Sequence, residues 1–127
     1  MRVLVIILLA TLVLPSGQAQ ASPPSDTSTA DLQKKATQGV AEAQTNLGLL
    51  YYDGRGVPKD YTKARGWFEK AAAQGHADAQ YNLGMLYDFE KGVSQNFATA
   101  KRWYEQAAMQ GHAGAQNNLG ALYEFGH

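Results

Sequence analysis

The sequence contains no cysteine. That excludes disulfides, thiolate metal sites, a cysteine nucleophile and a lipid-modified cysteine, so packing alone must hold the fold. It has no excess of either charge: 11 Lys and Arg balance 11 Asp and Glu. Without a net charge there is no electrostatic footprint for nucleic acid or anionic lipid. No glycine-rich phosphate loop or dinucleotide fingerprint is present, and Gly-Arg-Gly at 54–56 is too short and wrongly placed to cradle a phosphate. Nor does any serine stand beside an obvious base.

Long apolar runs are also missing, apart from Val3 to Leu14. That run is too short for the roughly 20 helical residues that span a bilayer. It follows Arg2 and is broken by Pro15 and Gly17, with Ala19-Gln20-Ala21 beyond. This is the pattern of a secretory signal peptide over residues 1–21, with an uncleaved anchor as the alternative. Residues 22–29, SPPSDTST, carry no large apolar side chain and are expected to form a flexible leader. The mature protein is expected to be soluble outside the cytoplasm.

What is abundant is repetition. Residues 41–76 and 77–112 agree at 18 of 36 positions without a gap, and residues 113–127 agree with 77–91 at 9 of 15. A fixed period of this length marks stacked units. Each unit reads as two helices. The first spans about Ala41 to Tyr52, with Ala43, Leu47, Leu50 and Tyr51 on one apolar face. The glycines of DGRG at 53–56 end it. The second opens after an N-cap at Asp60, matched by Asn96, and stops at Gly75 or Gly111. A short helix from about Ala30 to Gln38 precedes the first unit and resembles the second helix of an incomplete repeat. The fold predicted for residues 30–127 is all-α: a superhelical solenoid of antiparallel helix pairs. It comprises a partial leading helix at 30–40, repeats at 41–76 and 77–112, and a partial repeat at 113–127.

Gly48, Gly84 and Gly120 recur in mid-helix, where glycine costs about 1 kcal/mol relative to alanine. Their recurrence predicts a close helix crossing. Trp67, Trp103, Tyr51 and Tyr87 are the expected filling between layers. Glu90 stands where the first copy has Gly54, so the second turn is expected to differ in geometry or to be strained. Leu119 and Leu122 are expected to be partly exposed, and the closing half repeat could support self-association.

The pattern AxAQxNLGxLY…GV…A..W…AA.QGH resembles the Sel-one-like repeat, a relative of the tetratricopeptide repeat. The resemblance covers residues 41–127. It implies a concave surface lined by the first helix of each pair, and a periplasmic or secreted location. Some cysteine-rich relatives have been connected with binding or hydrolysing penicillin-like compounds. The absence of cysteine separates this chain from them, and no catalytic residue carries over.

The stripe Glu42, Thr45, Leu49 and Tyr52 is rotated away from the predicted core face, and its counterparts are Asp78, Tyr81, Met85 and Asp88, then Gly114, Asn117, Ala121 and Glu124. These positions vary between copies while core positions do not. The predicted partner-binding residues are Leu49, Tyr52, Asp53, Tyr81, Met85, Asp88, Phe89 and Phe125. Aromatic and methionine side chains are favoured interface anchors. Packing between repeats is the competing role for Tyr81, Met85 and Phe89. His76 and His112 recur one repeat apart. That is about 10 Å, too far to share a metal whose ligands lie about 2 Å away. They read as anchors of the inter-repeat turn. Asp53, Asp88 and Glu124 read as a solvated acidic rim.

The function expected is therefore a non-enzymatic interaction module that holds a protein or peptide segment, with no cofactor and no metal. A hydrolase of cell-wall or penicillin-like compounds is the alternative, and a fragment that packs onto a larger array is a third reading.

Overall fold

The computed structural model describes residues 25–125, which form six helices and no strand. In chain order these are α1 (Ser25–Thr37), α2 (Ala41–Asp53), α3 (Tyr61–Ala73), α4 (Ala77–Asp88), α5 (Phe97–Met109) and α6 (Ala113–Glu124). Each helix packs on the next in sequence, so the chain is the expected stack of helix pairs. The predicted signal peptide and the first residues of the predicted leader lie outside the described residues, as does His127. One boundary needs correction. The leader was expected to run to residue 29, yet α1 already begins at Ser25. The last helix-breaking residue before it is Pro24, and nothing between 25 and 29 prevents the helix from extending back to that point.

The caps follow the sequence. Asp60 is extended and its Oδ1 accepts from the Lys63 backbone N–H at 3.0 Å; Asn96 does the same for Thr99 at 2.9 Å. Each bond satisfies one of the four orphan donors at a helix start. Asp60→Ala and Asn96→Ala are each expected to lower stability by about 1 kcal/mol in urea unfolding. Gly54 ends α2 in the left-handed region at φ 71°, its N–H donating to the Leu50 carbonyl. The second copy keeps a left-handed residue at that position with glutamate: Glu90 has φ 57°. A non-glycine residue there costs on the order of 1 kcal/mol, so the strain expected of this turn is present.

Packing explains the recurrent small residues. A Cβ at Gly48 would lie 2.5 Å from the Phe68 ring, and one at Gly84 would lie 2.5 Å from the Tyr104 ring. The aromatic residue of each second helix thus lies directly on the glycine of its own first helix. At Gly120 a Cβ would meet nothing within 4 Å. The expected close crossing therefore exists at the first two glycines and not at the third. Phe68 sits in one buried cluster with Ala64, Ala71, Ala79, Leu83 and Leu86, and Tyr104 in the next with Ala100, Ala107, Ala115 and Leu122. Trp67 reaches back to Ala36, Ala43 and Leu47, and Trp103 to the Phe68 cluster, so each tryptophan ties its unit to the one before. Leu119 is half-buried, but Leu122, expected to be partly exposed, is buried because α6 turns it onto α5.

A polar ladder runs through the same junctions. Gln44 Nε2 donates to the Ala36 carbonyl at 3.1 Å, and Gln80 Nε2 reaches the Ala72 carbonyl at 3.5 Å. Their Oε1 atoms accept from Gln74 at 3.0 Å and from Gln110 at 2.9 Å. Gln74 and Gln110 also donate to the carbonyls of Gly39 and Gly75, both at 3.0 Å. The recurring glutamines of the repeat are therefore hydrogen-bonded links between units.

Candidate binding groove

Two pockets lie at successive repeat junctions: the first helices α2 and α4 line one, and α4 and α6 line the other. The first, of about 100 Å³, is lined by Leu49, Tyr52, Asp53, Phe68, Asn82 and Met85. The second, of about 270 Å³, is bordered by Asp88, Phe89, Phe97, Asn118 and Phe125, with Leu122 among its further contacts. The two are equivalent by the repeat: Tyr52 corresponds to Asp88, Asp53 to Phe89, Asn82 to Asn118 and Met85 to Ala121.

Seven of the eight predicted binding residues line these pockets. Leu49, Tyr52, Asp53 and Met85 meet in the first; Asp88, Phe89 and Phe125 meet in the second. Tyr81 lines neither. Its ring stacks on His112 at 4.5 Å between centroids and lies 6.0 Å from the Tyr104 ring. A Cβ at Gly114 would approach it to 3.1 Å, so the start of α6 is fitted against it. The corresponding Thr45 is buried, and its hydroxyl donates to the Ala41 carbonyl at 3.0 Å while contacting His76 Nδ1 at 3.0 Å. This step of the stripe serves the junction between repeats.

Both histidines are held there. The Thr45 hydroxyl has given its one proton to Ala41, so it accepts from His76 Nδ1–H. His112 Nδ1 instead accepts from the Ala115 N–H at 3.1 Å and caps α6, which leaves Nε2–H to donate to Asp78 at 3.0 Å. Among the described residues no three His, Asp or Glu side chains gather as metal ligands would.

The two pockets differ in chemistry. Phe68 and Tyr52 make the first largely apolar. In the second, the buried Tyr104 hydroxyl donates to Asp88 Oδ2 at 3.0 Å and accepts from Asn118 Nδ2 at 3.3 Å. Burial pushes the Tyr104 hydroxyl far above the ordinary phenol range; Asn118 opposes that shift, while the Asp88 carboxylate adds to it. Tyr104 is therefore a neutral donor that holds the Asp88 carboxylate in place. Burial likewise raises the Tyr52 hydroxyl, helped by Tyr61, whose ring lies 5.2 Å away.

Sequence reasoning missed Asn82 and Asn118. Their signal was available: Asn46, Asn82 and Asn118 recur in every copy, although asparagine is a poor helix former. Phe68 is both core and pocket wall.

No helix among the described residues is long and apolar enough to cross a membrane. Comparison with known proteins matches the Sel1 repeat model at residues 41–76, 77–112 and 113–127. No curated protein sequence matches significantly. The fold is similar to a protective antigen present in uropathogenic Escherichia coli strains and displaying an SLR fold, with 43% identity over 78% of this chain and a TM-score of 0.76. This chain spans only 21% of that antigen's length. It is also similar to a Sel1 repeat protein from Oxalobacter formigenes: 41% identity, 77% of this chain, 74% of that one, TM-score 0.73. Helicobacter pylori cysteine rich protein B is similar at 27% identity, covering 76% of this chain and 73% of that one, with a TM-score of 0.71. Sel1 repeats generally mediate protein–protein interactions, and proteins built from them are generally non-enzymatic scaffolds. Three consecutive matches over residues 41–127, on a solenoid of the same build, mean that this chain belongs to the Sel1 repeat family.

Proposed function

We propose that the protein is an exported, non-enzymatic interaction module that holds a peptide or protein segment in the groove formed by α2, α4 and α6, as an adaptor or assembly factor. The observation that carries this reading is the pair of repeat-equivalent pockets lined by residues that differ between copies. A cavity of about 100 Å³ suits one aliphatic side chain. Whole small-molecule ligands usually occupy pockets of roughly 300–1,000 Å³. Side chains of a longer partner are therefore the better match. Export rests on the apolar run at residues 3–14 and its Ala19-Gln20-Ala21 site. The similar bacterial proteins, one of them a protective antigen, accord with it.

A random-peptide display selection against the folded protein tests the groove. Selected peptides are expected to bind wild type and to lose at least tenfold in affinity for Met85→Lys, with the variant's helical circular dichroism unchanged. Equal affinity for both proteins would remove the groove from consideration. Turnover of a chromogenic lactam that is indifferent to Met85→Lys would favour the hydrolase reading.

A further inference from the structure

We propose that the second pocket is a cation site: Asp88, with the rings of Phe89, Phe97 and Phe125, receives a basic side chain of the bound segment, arginine in preference to lysine. The proposal rests on the groove reading and assigns each pocket its own ligand chemistry.

The carboxylate of Asp88 is half-buried and held by Tyr104 at 3.0 Å. Among the described residues no lysine, arginine or histidine forms an ion pair with it. The first junction contrasts with this. There Asp53 is paired with Arg55, Nε to Oδ2 at 3.3 Å. The repeat counterpart of Arg55 is Lys91, and its ammonium lies 5.6 Å over the Tyr61 ring, engaged away from Asp88. The counterpart of Asp53 is Phe89, which is 54% exposed, and Phe125 is 69% exposed. An oriented carboxylate without a cation, bordered by three phenylalanines, is suited to a positive charge. Ring faces attract cations electrostatically, and the planar guanidinium both stacks on rings and bonds a carboxylate. The 270 Å³ volume leaves room for that larger head group.

Repeat geometry then sets the spacing. Successive junctions lie about one helix spacing apart, roughly 10 Å. A polyproline II segment advances about 9 Å in three residues and returns to the same face. A β-strand returns at about 7 Å or about 13 Å. The ligand pattern is therefore an apolar residue and an arginine three positions apart in an extended segment, the apolar side chain in the first pocket and the arginine in the second.

Fluorescence anisotropy with labelled twelve-residue synthetic peptides tests this on the whole folded chain. The peptides carry Leu-x-x-Arg or Arg-x-x-Leu in a proline-rich frame, with glutamine replacing arginine in the controls. One order of the arginine peptide is expected to bind about tenfold tighter than its glutamine control. Asp88→Asn keeps an acceptor oxygen for Tyr104, so the fold is retained. It should erase the tenfold preference, bringing the arginine peptide and its glutamine control to the same affinity. If the preference is absent in wild type, or survives Asp88→Asn, the cation site is refuted. Binding of both peptides that is still lost in Met85→Lys would in that case leave the groove standing. Failure of every peptide to bind would overturn the groove reading and the cation site together.

Discussion

Tyr104→Ala should lower the unfolding free energy by about 3–5 kcal/mol, as expected for removing a fully buried aromatic ring. The ring is 0% exposed, lies against Gly84 and binds both Asp88 and Asn118 through its hydroxyl. Its contact with Gly84 gives this loss a further signature. Gly84→Ala in the wild-type background should cost about 1–3 kcal/mol, because the new methyl would lie 2.5 Å from a ring its partners hold in place. With Tyr104 already replaced by alanine, that obstacle is gone. Gly84→Ala should then stabilise the helix by up to about 1 kcal/mol through propensity alone. A double-mutant cycle in urea isolates this coupling. Gly120→Ala is the internal control: the repeat position is the same, nothing lies within 4 Å, and stability should rise. Simple additivity of the two substitutions at 84 and 104 would mean that glycine is not there to admit the ring.

That contrast shows where the sequence was informative. Gly48, Gly84 and Gly120 look alike in the repeat, and the unfavourable residue type was enough to infer a crossing at the first two. Gly120 differs because the aromatic that covers the other two comes from the second helix of their own unit, and the partial repeat at 113–127 holds no such residue. The caps at Asp60 and Asn96 were legible because the physics of a helix start is local. The start of α1 was not, because a polar composition does not by itself prevent a helix. In the groove, comparing copies found positions that vary, and Leu49, Tyr52, Asp53, Met85, Asp88, Phe89 and Phe125 do line the pockets. The same criterion hid Asn82 and Asn118, which do not vary. Tyr81 was included because helical spacing treats each helix as isolated, whereas the neighbouring repeat covers its ring with His112. Leu122 was misread for the same reason. What the pockets hold depends on pairs that sequence periodicity does not couple: Phe68 with Tyr52 in one, Tyr104 with Asp88 in the other.

Gln80→Leu should cost about 2 kcal/mol even though it replaces a buried polar side chain with an apolar one of similar length. Gln80 is 4% exposed. Its amide bridges the Ala72 carbonyl at the end of α3 and Gln110 at the end of α5. Leucine would remove both of these hydrogen bonds, each worth about 1 kcal/mol net, although the Ala72 carbonyl keeps the Gly75 N–H and the exposed Gln110 keeps the Gly75 carbonyl. Gln116 occupies the same repeat position but is exposed, with a bond of 3.2 Å to the Ala108 carbonyl. Gln116→Leu should therefore change stability by no more than about 0.5 kcal/mol, because water can replace the partner. If Gln80→Leu proved as stable as wild type, hydrophobic burial would be outweighing the ladder, and the glutamines would have another purpose. If the loss is observed, the ladder is what fixes α4 against both its neighbours. The distance between the two pockets then depends on it, since α4 supplies Asn82 and Met85 to one and Asp88 to the other. A folded Gln80→Leu variant should accordingly bind a two-pocket peptide more weakly than wild type, while a peptide that fills only the first pocket should lose much less.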